Sequence, residues 1–95
     1  MRFVIRHEGK NRLRVHMKQS RMTYEQADVL LYYLESMEEV VRAQVYSQTA
    51  NAVICYGKGT DRASVLHALQ KFAYQNVEVP DDVLANSGRA MNEEY

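Results

Sequence analysis

One cysteine in 95 residues, Cys55, leaves the chain without any internal disulfide, so its core has to hold by burial alone. The natural setting for such a chain is a reducing, cytosolic one. Long apolar runs are missing as well. The opening Met1-Arg2-Phe3-Val4-Ile5-Arg6-His7 is too short an apolar stretch for a signal peptide, and nowhere does an uninterrupted run reach the length that crosses a bilayer. The signatures of catalysis are also missing: there is no glycine-rich phosphate loop, no His-Glu-x-x-His helix and no nucleophile with a base at a recognisable spacing. His67, between Leu66 and Ala68, stands off the apolar stripe of its helix. An enzyme is therefore not expected, and no cofactor is implied.

What remains is enough for one small domain, which by size buries roughly 60 to 65% of its unfolded surface in a two-layer core. Net charge is zero, but the charges are segregated. From Arg2 to Arg21 seven Lys or Arg face one acid, Glu8; from Glu25 to Glu39 there are five acids and no base. Such blocks make either a dipolar docking surface or solvated faces that neutralise one another.

Two extended runs, Phe3 to His7 and Arg12 to Met17, flank Glu8-Gly9-Lys10-Asn11, which reads as a bulge or a tight hairpin because Gly9 and Asn11 tolerate positive φ. Leu13, Val15 and Met17 alternate with Arg12, Arg14 and His16, the period of a half-buried strand. Thr23 and Gln26 form a capping box for a helix over about 24–38, with Ala27, Leu30, Leu31, Leu34 and Met37 inward and Glu25, Asp28 and Glu35 outward. Val40 to Tyr46 and Ala52 to Tyr56 read as a β-hairpin across a polar turn. Thr60 or Asp61 caps a second helix with Val65, Leu66, Leu69, Phe72 and Ala73 on its stripe, ending near 74–76. Val77-Glu78-Val79 reads as a short edge strand, with Pro80 harmless just beyond it.

One apolar stripe per helix and one apolar sheet face make the economical fold an α+β, ferredoxin-like βαββαβ sandwich, with two helices on one side of a four-stranded antiparallel sheet. The domain is expected over 1–79, with 80–95 as a polar linker or short helix.

Arg12-Leu13-Arg14-Val15, the capped helix closing at Met37-Glu38-Glu39-Val40, Ala43-Gln44-Val45-Tyr46 followed by Thr49 to Tyr56, and Phe72-Ala73-Tyr74 together resemble the cysteine-less heavy-metal-associated domains. These occur at the N-terminus of bacterial heavy-metal-translocating P-type ATPases. The resemblance covers about 3–79. In metal-carrying members the strand-loop-helix corner holds Met-x-Cys-x-x-Cys, and here it reads Met17-Lys18-Gln19-Ser20-Arg21-Met22. In place of the Pro-Gly-Arg step that often enters the strand stands Lys10-Asn11-Arg12. The resemblance implies a regulatory or docking domain, tethered to the cytoplasmic face of the membrane through 80–95, whose partners are other pump domains or a second copy. Thiolate transfer of a metal cannot be carried over.

His16, Met17, Met22 and Cys55 are the candidates for soft-metal contact, and strand alternation separates two of them: Met17 falls inward and His16 outward. Cys55 falls on the open sheet face, and a role beyond a small hydrophobe needs His16 or His7 close in space. Arg12, Arg14, Arg42 and Tyr46 are expected to share that open face. Three uses compete for it: a protein partner, a homodimeric ligand-sensing interface, or RNA. RNA recognition on this architecture stacks bases on two or three aromatics, where this chain has Val53 and Cys55, so nucleic acid is the weakest of the three.

Overall fold

The computed structural model describes residues 1–81. Its elements run β1 (Phe3–Gly9), β2 (Arg12–Met17), α1 (Tyr24–Glu35), β3 (Val40–Tyr46), β4 (Asn51–Tyr56) and α2 (Arg62–Lys71), followed by a 3-10 turn at Tyr74–Asn76. The described strands make one sheet in the order β1-β2-β4-β3, and every neighbouring pair is antiparallel. The fold is α+β with a four-stranded antiparallel sheet and two helices, compatible with a ferredoxin-like sandwich. No described helix is long and apolar enough to cross a membrane.

The chain order differs from the expected one at both ends. The first two runs form a hairpin, Gly9 opposite Arg12, through a two-residue turn in which Asn11 takes φ 57°. Asparagine tolerates this left-handed backbone better than other side chains do. Its amide also works there: Nδ2 donates to Tyr56 O at 3.2 Å and Gly57 O at 2.8 Å, while Tyr56 N donates back to Asn11 O at 2.9 Å. The start of β2 is thereby tied to the end of β4. At the other end, Val77 to Val79 forms no strand. A strand arriving after α2 would pair with the free edge of β2, and β1 already occupies that edge.

Period-two alternation sorts the sheet into two faces. Leu13, Val15 and Met17 of β2, Val45 of β3, and Ala52, Ile54 and Tyr56 of β4 are buried with Ala27, Leu30, Leu31 and Leu34 of α1, Val65 and Leu69 of α2, and Phe72. This is one core between a single sheet face and both helices. The capping box at the start of α1 forms as expected, with Gln26 N donating to Thr23 Oγ1 at 3.0 Å and Thr23 N to Gln26 Oε1 at 3.1 Å. Of the two candidate caps for α2, Asp61 serves, accepting from Ala63 N.

Helix α2 stops at Lys71, short of the expected end, because Phe72 turns extended and lodges its ring between Tyr33 and Tyr74, each centroid 5.0 Å away. The amino group of Met1 meets the carbonyls freed there, Gln70 O at 2.7 Å and Phe72 O at 2.9 Å, a favourable place for positive charge at a helix C-terminus. Tyr33 OH donates to Ala68 O at 2.8 Å and joins the two helices. Burial raises its phenol above the ordinary tyrosine value. Asp28, expected on the outer side of α1, is 1% exposed. It lies one turn before Leu31 and Tyr32, on the flank of the apolar stripe, and Val29 beside it is buried too.

Both sheet edges are interrupted by a bulge, β1 between Ile5 and His7 and β3 between Val40 and Arg42. The bulge in β1 turns Glu8 to the helix side opposite Leu13, where Arg62 at the start of α2 grips it in two bonds of 2.5 and 3.0 Å. The guanidinium holds the Glu8 carboxyl below its ordinary value. The pair therefore stabilises the fold above the usual glutamate range and ceases to do so as pH falls through the depressed value. Both side chains are well exposed, so the contribution is small.

Leu69→Ala should cost about 2 to 5 kcal/mol in chemical denaturation, while Lys18→Ala in the exposed corner loop stays within about 0.5 kcal/mol. Asn11→Ala removes two hydrogen bonds and keeps the left-handed φ; Asn11→Gly removes the bonds alone. The alanine variant is expected to be the less stable of the two by about 1 kcal/mol.

Candidate functional site

Two places hold the residues singled out from the sequence: the corner between β2 and α1, and the sheet face opposite the helices. The corner rests on the β3–β4 turn. Met17 N donates to Ala50 O at 2.8 Å and Met22 N to Ser47 O at 2.7 Å, and both Ser47 and Ala50 are buried. Ala50 takes φ 55°, a backbone that costs an alanine about 1 to 2 kcal/mol and that these contacts offset.

Met17 is fully buried and Met22 nearly so, both part of the core. Gln19 is the hub of the loop. Its Nε2 donates to Arg21 O at 2.8 Å and Gln26 Oε1 at 3.2 Å, and its Oε1 accepts from Tyr74 OH at 2.8 Å. Loop, helix cap and the segment after α2 are thus joined through one amide. Burial pushes the Tyr74 phenol up to about 12.

The metal candidates do not converge. His16 lies on the open face, its Nδ1 2.8 Å from Asn51 Oδ1 in a contact that needs the proton on Nδ1. Met17 and Met22 lie beneath the other face. Cys55 pairs with Arg12, four residues along β2 from His16, which places it about 13 Å away along the strands. His7 pairs with Arg14 on β1, two strands across from β4 and so roughly 10 Å sideways. Neither histidine reaches the thiol, and among the described residues no three His, Cys, Asp or Glu side chains cluster as a metal site.

The open face does assemble the partner-surface residues. Three cross-strand rows run from β2 through β4 to β3: His16–Asn51–Tyr46, Arg14–Val53–Gln44 and Arg12–Cys55–Arg42. Arg12 and Arg42 are exposed and flank Cys55, which is half-buried. The Arg14 guanidinium lies 5.9 Å from the centroid of the Tyr46 ring, and Val53, on the strand between them, is only 3% exposed. Tyr46 OH donates to Gln44 Oε1 at 3.1 Å. The middle of the face is therefore a packed cation–aromatic layer, with two exposed arginines along one side.

Sequence reasoning missed Gln19, Asn51 and Tyr74. Gln19 registered only as a missing thiolate, and one of its three bonds comes from Tyr74, 55 residues away, for which no local pattern speaks. Comparison of the chain with protein-family models, curated proteins and solved structures returned no match.

Without two thiolates at the corner, a titration against a competing chelator should detect no sub-micromolar, one-to-one binding of Cu(I) or Zn(II). Because the Tyr74 phenol ionises later in the folded than in the unfolded chain, its contribution is complete below about pH 10 and lost as pH rises through about 12. A pH titration of tyrosine absorbance should retain a last step near pH 12, and Tyr74→Phe should remove it.

Proposed function

We propose that this domain is a docking or regulatory module at the cytosolic N-terminus of a heavy-metal-transporting P-type ATPase, and that it meets its partner through the open face of the sheet. Support for the pump assignment comes from the resemblance of the β2–loop–α1 corner and the following hairpin to the cysteine-less heavy-metal-associated domains. The observation that carries the docking role is the row Arg12–Cys55–Arg42, two exposed guanidiniums held on the two strands that flank β4, either side of a small apolar side chain. Like charges fixed this way repel, and an acidic surface relieves the repulsion. The partner is accordingly an acidic face of another pump domain or of a second copy.

The corner fits a module that does not carry metal. Where a carrier needs exchangeable thiolates, this chain has a buried thioether and an amide already committed to three hydrogen bonds. RNA binding is less well supported, since the single aromatic among the paired residues of the open face, Tyr46, already has Arg14 over its ring.

Arg12→Glu together with Arg42→Glu should leave stability within about 1 kcal/mol, because both side chains are exposed. The same pair should weaken association with the soluble domains of the pump, or self-association in sedimentation, at least tenfold. Raised salt should weaken the wild-type contact as well. Indifference to both changes would move the docking face elsewhere. Apolar spans and an Asp-Lys-Thr-Gly-Thr motif downstream of Tyr95 in the parent gene product would test the pump assignment separately.

A further inference from the structure

A second surface, independent of the open face, lies along the free edge of β1. Lys18 N donates to Arg2 O at 3.0 Å, so Arg2 and, two residues on, Val4 turn their backbone groups toward β2. By the alternation of an antiparallel ladder, Phe3 and Ile5 turn both N–H and C=O outward, away from the sheet. No described strand pairs with that edge. On the helix side the edge borders an open groove of about 640 Å³, walled by Met1, Phe3 and Ile5 and across from them by Leu66 of α2. Ile5 is 38% exposed there.

Charge decides what fits. Arg2 and Lys18 line the groove, and Arg6 stands exposed at the bulge that ends it. The nearest acid on β1, Glu8, lies beyond the bulge and is held by Arg62. An added strand would present alternate side chains to the two sides of the sheet: one set enters the apolar groove, and the other lies beside Arg2 and Lys18. A second copy of β1 fits poorly. Antiparallel pairing of two such edges over Phe3 to Ile5 brings Arg2 of one copy beside Arg6 of the other.

We infer that the Arg2–Ile5 edge of β1 accepts a short extended segment of a partner protein, with apolar and acidic residues in alternation, by strand addition. The bulge after Ile5 limits the added strand to a few residues and keeps the rest of the edge closed.

The probe is an end-capped Val-Glu-Val-Glu-Val peptide, titrated into the domain and followed by amide NMR and hydrogen exchange. Binding should slow exchange at the Phe3 and Ile5 amides and leave β3 unchanged. N-methylation of the central peptide residue, which removes a ladder donor without touching the protein, should weaken binding at least tenfold. Arg2→Glu with Lys18→Glu should weaken it at least fivefold. No binding at millimolar peptide, protection outside β1, or indifference to N-methylation would overturn the inference. Concentration-dependent dimerisation of the domain alone that protects the same two amides would overturn the choice of partner in favour of a second copy.

Discussion

Everything else in this structure depends on β2 being paired on both sides. Its six residues carry the hairpin to β1 on one edge and the ladder to β4 on the other, so none of its backbone lies at a sheet edge. Its alternation then sets both surfaces of the sheet at once. Leu13, Val15 and Met17 supply the middle of the core, fully buried, and Arg12, Arg14 and His16 supply one side of the open face. A one-residue slip would exchange those two sets, placing three cationic or polar side chains against the helices. The clamp that prevents the slip is Asn11, which enters β2 in a left-handed turn and bonds to the last residue of β4 and the one after it.

Local patterns were legible where local chemistry decides the outcome. The capping box, the period of β2, the β3–β4 hairpin and the helix stripes each depend on residues within a turn or two of one another. The gathering of Arg12, Arg14, Arg42 and Tyr46 on one face follows from strand parity alone and was legible for that reason. The last strand was misread because its fate turns on competition: Val77-Glu78-Val79 has a good strand pattern, but the edge it needs is filled by a hairpin from the other end of the chain. Asp28 was misread because a helix wheel gives angles but no depth, and the flank of α1 is buried further round than its apolar stripe. The expected linker falls largely on 82–95, outside the described residues.

The corner between β2 and α1 shows how a loop keeps its shape without a metal clip. Two thiolates and a metal would tie both ends of the loop together at one point. Here the ties are spread out: Met22 anchors one end in the core, the β3–β4 turn receives two backbone N–H groups, and Gln19 joins the loop to the helix cap and to Tyr74. Each bond is worth only about 1 kcal/mol net, yet none needs a ligand to be present. A metal-held loop has two states, loaded and empty, and a loop held by hydrogen bonds has one. The corner is thus suited to be a constant part of a surface.

That constancy bears on how a domain this small can be read by its neighbours. With the core between helices and sheet filled, two surfaces stand out for contact, the open face and the free edge of β1, which borders a groove. The two differ in kind. The face offers fixed charge, Arg12 and Arg42 beside a packed Arg14–Tyr46 layer, which steers partners and is weakened by salt. The β1 edge offers backbone donors and acceptors over an apolar groove, which salt affects mainly through the basic rim. A contact on the face leaves the edge open and the reverse also holds, since Phe3 and Ile5 point toward the helix side and the arginine row points away from it. A partner on the face and a strand added at the β1 edge, as proposed, would therefore not displace one another.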